Sequence, residues 1–203
     1  MLESNMKIVK EVIKDLKALS NPEKEEVFKR FFKTGKGEYG YGDIFWGITV
    51  PNTRKVAKRY YKDISMEECT ELLHSPIHEV RLTSLHMLVY KYKRATGELR
   101  EDIVEAYLNN LEYVNNWDLV DLSCYKILGD YLLNNPLKRE ILYTLVKSNN
   151  LWKQRVAVVS CFALIRDNEF DDILKLSYIL LSHEHDLMHK AVGWMLREVG
   201  KRD

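Results

Sequence analysis

The segment NNWDLVDLSCYKILGDYLL, residues 115–133, has apolar residues at helical spacing, and it has three counterparts elsewhere in the chain. SPIHEVRLTSLHMLVYKY from Ser75, NNLWKQRVAVVSCFALI from Asn149 and EHDLMHKAVGWMLREVGK from Glu184 align with it so that Arg81, Asp121, Arg155 and Lys190 share one position. Small or apolar residues follow at matched offsets: Ser84, Cys124, Val158 and Gly193, then Leu85, Tyr125, Val159 and Trp194. The shared position is polar in all four copies, which a core position would not be.

The copies recur every 34 to 40 residues, the period of two-helix HEAT-like units. Such a unit cannot bury its apolar stripe alone, so neighbours stack and one helix of each pair lines a common surface. The expected fold is therefore all-α, an α-solenoid or superhelix of HEAT-like repeats with a concave face, forming a single domain over residues 1–203. No segment shows sustained period-two alternation with turn dipeptides, so almost no strand is expected.

Partner helices between the copies carry ordinary start and stop signals. Ser65 followed by Glu68 reads as a capping box before MEECTELL, and Gly97 separates one helical pattern from the next, which runs from Glu98 to Tyr113. Asn135-Pro136 divides Tyr131-Leu132-Leu133 from a helix expected to begin at Leu137, and Ser20-Asn21-Pro22 acts in the same way near the start. The segment TGKGEYGYGDIFWG, residues 34–47, is long for a helix–helix connection and reads as a flexible connector, with Lys36, Tyr39 and Tyr41 able to touch the backbone of a polyanion.

Lys and Arg number 31 against 30 Asp and Glu, so the chain is no bulk polycation, and only segregation of charge would favour a polyanionic partner. The opening MLESNMKIVKEVIKDLK is charged throughout and lacks the apolar run of a secretory leader, and the longest apolar stretch, near Val156 to Ile165, is too short to span a bilayer. A cytoplasmic protein without membrane contact is expected. Cys69, Cys124 and Cys161 are odd in number and sit in apolar helical contexts, which favours small buried residues over a disulfide or a metal site. His185 and His189 are four apart, but no glutamate follows His185 in the zincin arrangement and no third ligand is evident, so no metal and no cofactor are expected.

Acidic residues such as Asp167, Glu169, Asp171 and Asp172 fall in helices assigned to the outer layer, whereas Arg81, Lys153, Arg155, Lys190 and Arg197 fall in the other. Trp117 and Asp121 are four apart and share a helix face, and Lys190, Trp194, Arg197 and Lys201 follow at i, i+4, i+7 and i+11 as one basic stripe with a single aromatic. A tryptophan among basic residues suits stacking or a cation–π contact with a ligand. Taken singly, Trp117 and Trp194 also read as caps on the apolar core, and Asp121 with Arg155 as a structural ion bridge.

The segments NPEKEEVFKRFFK, FWGITVPNTRK, NNWDLVDLSCYKILGDYLL, NNLWKQRVAVV and HKAVGWMLREVGK, in this order on separate helices, resemble the AlkD-type DNA alkylation repair proteins, HEAT-like-repeat glycosylases that excise alkylated purines. Within that resemblance Asp121 falls on the catalytic aspartate, Trp117 and Trp194 on the lesion-contacting aromatics, and Arg155 on a DNA-contacting arginine. Lys190, Arg197, Arg81 and Phe31 complete the expected DNA-binding set. Phe31 stands where the family can have a tyrosine, and the chain ends at Asp203 soon after GWMLREVGK, where relatives can continue.

The resemblance implies an enzyme, a DNA glycosylase acting on cationic N3- or N7-alkylpurines in duplex DNA by electrostatic stabilisation of an oxocarbenium-like transition state. Its implied partner is alkylated double-stranded DNA, and it is expected to act as a monomer. Two other readings stay open from sequence: a non-catalytic relative that binds DNA of unusual structure, and a protein-binding scaffold.

Overall fold

A computed structural model describes residues 7–203, and its contacts gather into two compact units, one ending at Asn116 and the other beginning at Trp117. Among the described residues the structure is all-helical, the fold class expected from sequence. Its one element of extended pairing is an isolated bridge between Ile44 and Ile77.

The first unit contains α1 (Lys7–Lys17), α2 (Pro22–Phe31), α3 (Val50–Tyr60), α4 (Met66–Leu73), α5 (His78–Arg94) and α6 (Glu98–Asn109), followed by a 3-10 turn at Leu111–Tyr113. The start signals act as expected. Asn21 caps α2 by accepting from Lys24 N–H at 3.0 Å, with Pro22 in the first turn. Ser65 and Glu68 form a reciprocal capping box on α4. Helix α5 is buried on most of its circumference and packs against α1, α3, α4 and α6. Two of its small polar residues are satisfied within the core: Ser84 Oγ donates to Cys69 O at 2.6 Å and Thr83 Oγ1 to Glu79 O at 2.7 Å.

The connector after α2 is fastened rather than slack, contrary to the sequence expectation. The buried carboxylate of Glu79 accepts from the backbone N–H groups of Trp46 and Ile48, and His78 N–H donates to Ile44 O. Gly47 is required here. Its φ is +73°, and a Cβ would lie 2.1 Å from Asn21 O. These partners are more than thirty residues away in sequence, which is why local turn chemistry did not reveal them.

The second unit contains α7 (Trp117–Asp121), a π turn at Tyr125–Gly129, α8 (Asp130–Asn134), α9 (Glu140–Val146), α10 (Leu151–Arg166), α11 (Asp171–Ile179) and α12 (Asp186–Val199). Helix α10 is its centre, with Val156 to Val159 fully buried, and it packs against every other helix of the unit. Gly129 permits one close approach: a Cβ there would lie 2.4 Å from Ser160 O. Residues 115–133 do not form one unbroken helix, because Ser123 Oγ donates back to Leu119 O at 2.6 Å and the π turn follows. Pro136 opens a short 3-10 turn, Pro136–Lys138, and α9 begins at Glu140 rather than at Leu137.

The C-terminal histidines organise the start of α12. His183 Nδ1 accepts from His185 N–H at 3.0 Å, and His185 Nδ1 caps the helix by accepting from Leu187 N–H at 3.1 Å. Burial, aided by neighbouring His183, pushes the His185 pKa down and favours the neutral ring that this acceptor role needs. All three cysteines are buried thiols. Burial pushes Cys69 up to about 12, and Cys124 and Cys161 rise as well. Among the described residues no helix is long and apolar enough to cross a membrane, and no cluster of His, Cys, Asp or Glu is arranged to hold a metal ion.

Candidate active site

Asp121 is the last residue of α7, one helical turn beyond Trp117 on the same face. Arg155, in the first half of α10, donates from Nε to Asp121 Oδ1 at 2.9 Å and from Nη2 to Asp121 Oδ2 at 2.8 Å. This fork-to-fork pair fixes both side chains. Arg155 Nη1 also donates to Leu187 O, in the first turn of α12. The guanidinium is thus engaged on three sides, with Arg155 only 6% exposed.

The carboxylate is less enclosed than its partner. Asp121 keeps 17% of its side-chain surface, and both its oxygens retain acceptor capacity beyond Arg155. Burial raises its pKa above the ordinary carboxylate value; the Arg155 hydrogen bonds and charge oppose that rise, and the nearby Asp118 carboxylate adds to it. The group is a desolvated carboxylate kept in place by a buried cation.

The same unit carries several aromatic residues. Trp194 on α12 is half-buried, with its ring centroid 5.7 Å from that of Phe162 on α10, and Phe162 meets Tyr125 edge-on at 5.1 Å. Trp117 is half-buried at the start of α7. Arg197 is exposed on α12. Lys190 is also exposed and pairs with Asp186 at 2.7 Å. The basic stripe ends sooner than the sequence suggested, because α12 stops at Val199 and Lys201 pairs with Glu198 at 2.7 Å. Arg202 pairs with the same glutamate at 3.2 Å.

The remaining candidates belong to the first unit. Phe31, at the end of α2, is 59% exposed and edge-on to Phe32 at 5.1 Å. Arg81, only 4% exposed, donates from Nη2 to Asp43 Oδ1 at 2.7 Å and to Asn115 Oδ1 at 3.1 Å, and from Nη1 to Ser75 O at 3.0 Å.

Sequence reasoning missed Asp43, which also meets His78 Nδ1 at 2.7 Å. Burial works against its ionised form, but His78 and Arg81 together outweigh that and lower its pKa. A signal for it existed: Asp43 precedes Arg81 by 38 residues, close to the 34 that separate Asp121 from Arg155. Phe162 was missed as well, although it follows Arg155 by two helical turns.

The second unit thus holds a partly exposed carboxylate clamped by an arginine and carries several aromatics, within an all-helical fold. The chain belongs to the DNA alkylation repair enzyme family, which it matches over residues 12–203. It is similar in fold to a solved structure described as a predicted DNA alkylation repair enzyme from Enterococcus faecalis, with a TM-score of 0.68 and 19% identity over 90% of this chain and 84% of that one. None of the curated proteins matches the sequence.

Proposed function

We propose that the protein, acting as one domain over residues 1–203, is a DNA glycosylase that removes cationic N3- or N7-alkylated purines from duplex DNA. The observation that carries this reading is the Asp121 carboxylate, held through both oxygens by buried Arg155 yet still partly open to solvent.

Alkylation at N3 or N7 makes the purine cationic and already a good leaving group. When the bond between C1′ and the base nitrogen breaks, its electron pair leaves with the base, which becomes neutral, and positive charge passes to the deoxyribose. Asp121 stabilises that oxocarbenium-like charge and orients the water that adds to C1′, whose proton passes to solvent. A water-poor setting strengthens this interaction, and the Arg155 clamp means that the carboxylate need not reorganise during the reaction.

Trp117 and Trp194 present negative π-faces to the cationic base and sugar, each worth on the order of 0.5 to 2 kcal/mol. Arg155 is the positioning residue for Asp121, and Arg81 plays the same part for Asp43. Direct contact with phosphate falls to Arg197 and Lys190, the latter because an exposed pair such as Lys190–Asp186 is weak enough to exchange partners. Phe31 supplies an exposed aromatic face without a hydroxyl.

Release of 7-methylguanine from duplex DNA tests the proposal. Enzyme-dependent release well above spontaneous depurination is the expected result. Salt-sensitive duplex binding without release would favour a non-catalytic DNA-binding relative, and absence of duplex binding would favour a protein scaffold.

A further inference from the structure

The first unit contains a cavity of about 310 Å³, apart from the Asp121–Arg155 pair of the second unit. That volume lies at the lower end of the ~300–1,000 Å³ typical of small-molecule sites. The fastened connector contributes Tyr39 and Tyr41 to the cavity's lining, which also includes Tyr113, whose ring lies 4.1 Å from that of His74. Asp43 and Arg81 also line it, as an ion pair closed at 2.7 Å.

The charges select the ligand class. Arg81 is closed on Asp43 as an ion pair, so its charge is not free to attract a phosphate. The cavity's remaining polar groups suit an uncharged ring with acceptors along one edge. Asn115 Oδ1 accepts from Arg81, which fixes the amide so that its two Nδ2 hydrogens are left for another partner. Ser75 Oγ accepts from Ile77 N–H and keeps its own proton to donate. His74 Nε2 lies 2.6 Å from Asn110 Oδ1, and Asn110 Nδ2 already donates to Ala106 O, so Nε2 carries a proton and donates to that oxygen. Arg81 Nε is buried with no hydrogen-bond partner, a further unmet donor among the lining residues.

We infer that this cavity accepts an uncharged nucleobase, stacked between Tyr41 and the Tyr113–His74 pair with its acceptor edge toward Asn115. The source is a base unstacked from a DNA strand or a free base, and only the first of these rests on the DNA-repair reading. Aromatic stacking provides affinity for any base, and the Asn115 amide donors favour an edge rich in acceptors.

The test uses the full chain and 2-aminopurine, whose fluorescence is quenched by stacking. The probe is presented as the free deoxynucleoside, as a single bulged base in a duplex, and as a fully paired base. Quenching is expected with the bulged base and not with the paired one. Tyr41→Ala and Asn115→Asp should each weaken binding by about fivefold or more, while Tyr178→Ala, at an exposed tyrosine of the other unit, should have no effect. Quenching by the deoxynucleoside alone supports the cavity and assigns it to free bases. No quenching with any probe, or equal quenching in wild type, Tyr41→Ala and Asn115→Asp, overturns the inference even if excision proceeds. Loss of all duplex binding with deoxynucleoside quenching intact would instead remove the DNA reading and leave the cavity standing.

Discussion

Asp121 and Arg155, 34 residues apart, face each other through two parallel hydrogen bonds of 2.9 and 2.8 Å. The arginine is the more deeply buried partner, so the cation is enclosed while the anion keeps an open side. In a purely structural ion pair either group can be the enclosed one. Here the exposed group is the one that the proposed chemistry needs.

Asp121→Asn should therefore lower excision of 7-methylguanine by at least about tenfold, since losing roughly 1.4 kcal/mol of transition-state stabilisation gives that factor. The wild-type rate should also show an acid limb centred above the ordinary carboxylate value, because burial raises the Asp121 pKa and only the ionised form is active. Single-turnover rates between about pH 4 and about pH 8, corrected for spontaneous depurination, measure both. A folded Asp121→Asn protein that excises at the wild-type rate would remove Asp121 from the mechanism.

Arg155 and Arg197 should fail in different ways when truncated. Arg155→Ala removes the groups that hold the Asp121 pKa down, so the acid limb should move to higher pH while the salt dependence of duplex binding stays near that of wild type. Arg197→Ala should leave the pH profile alone and lower the salt slope by about one unit, with affinity falling across all sequences. Identical behaviour of the two variants would show that both grip phosphate or that neither does.

Trp117 and Trp194 are half-buried, an intermediate state between core and free surface. Truncating a fully buried tryptophan costs about 3 to 5 kcal/mol, so Trp117→Ala and Trp194→Ala should cost less than that and melt nearer to wild type. Excision should slow more than binding of undamaged duplex weakens. Thermal melting combined with single-turnover excision separates the cases: a large fall in Tm with activity per folded molecule intact would assign both rings to the core.

Asp43 and Asp121 should respond to pH with opposite signs. The folded pKa of Asp43 lies below its ordinary value, so its pairing stabilises the fold above that ordinary value and the stability is lost as pH falls through the lowered pKa. For Asp121 the folded pKa is raised, so ionising the group costs stability as pH rises through it. Asp43→Asn should destabilise by about 3 to 5 kcal/mol near neutrality, because it leaves buried Arg81 without its counter-charge, and the difference from wild type should shrink in acid. Urea unfolding at neutral and acid pH measures it; an Asp43→Asn protein as stable as wild type at pH 7 would refute the network.

The helical array was legible in the sequence because its apolar residues recur at helical spacing and its copies at a fixed period. The Asp121–Arg155 pair was legible for the same reason: opposite charges at successive copies of one position are brought face to face by stacking. What stayed hidden depends on contacts between distant residues. Glu79 gives no local sign that it holds the backbone of Trp46 and Ile48, and Asp43 lies in a glycine-rich loop outside the helical register. The end of α12 was overrun although a stop signal was present: Gly200, which follows Val199 directly, is its C-cap.

The π turn at Tyr125–Gly129 bears on the ancestry of this segment. A π turn is an α-helical turn that has absorbed one additional residue, commonly at a functional site. Deleting a residue between Asp121 and Gly129 would restore a regular helix but rotate everything beyond it by about 100°. Gly129 would then leave its seat against Ser160 O, where no other side chain fits. Lineages carrying this insertion should therefore keep it together with the glycine, and in an alignment of relatives the two should be gained or lost as one event.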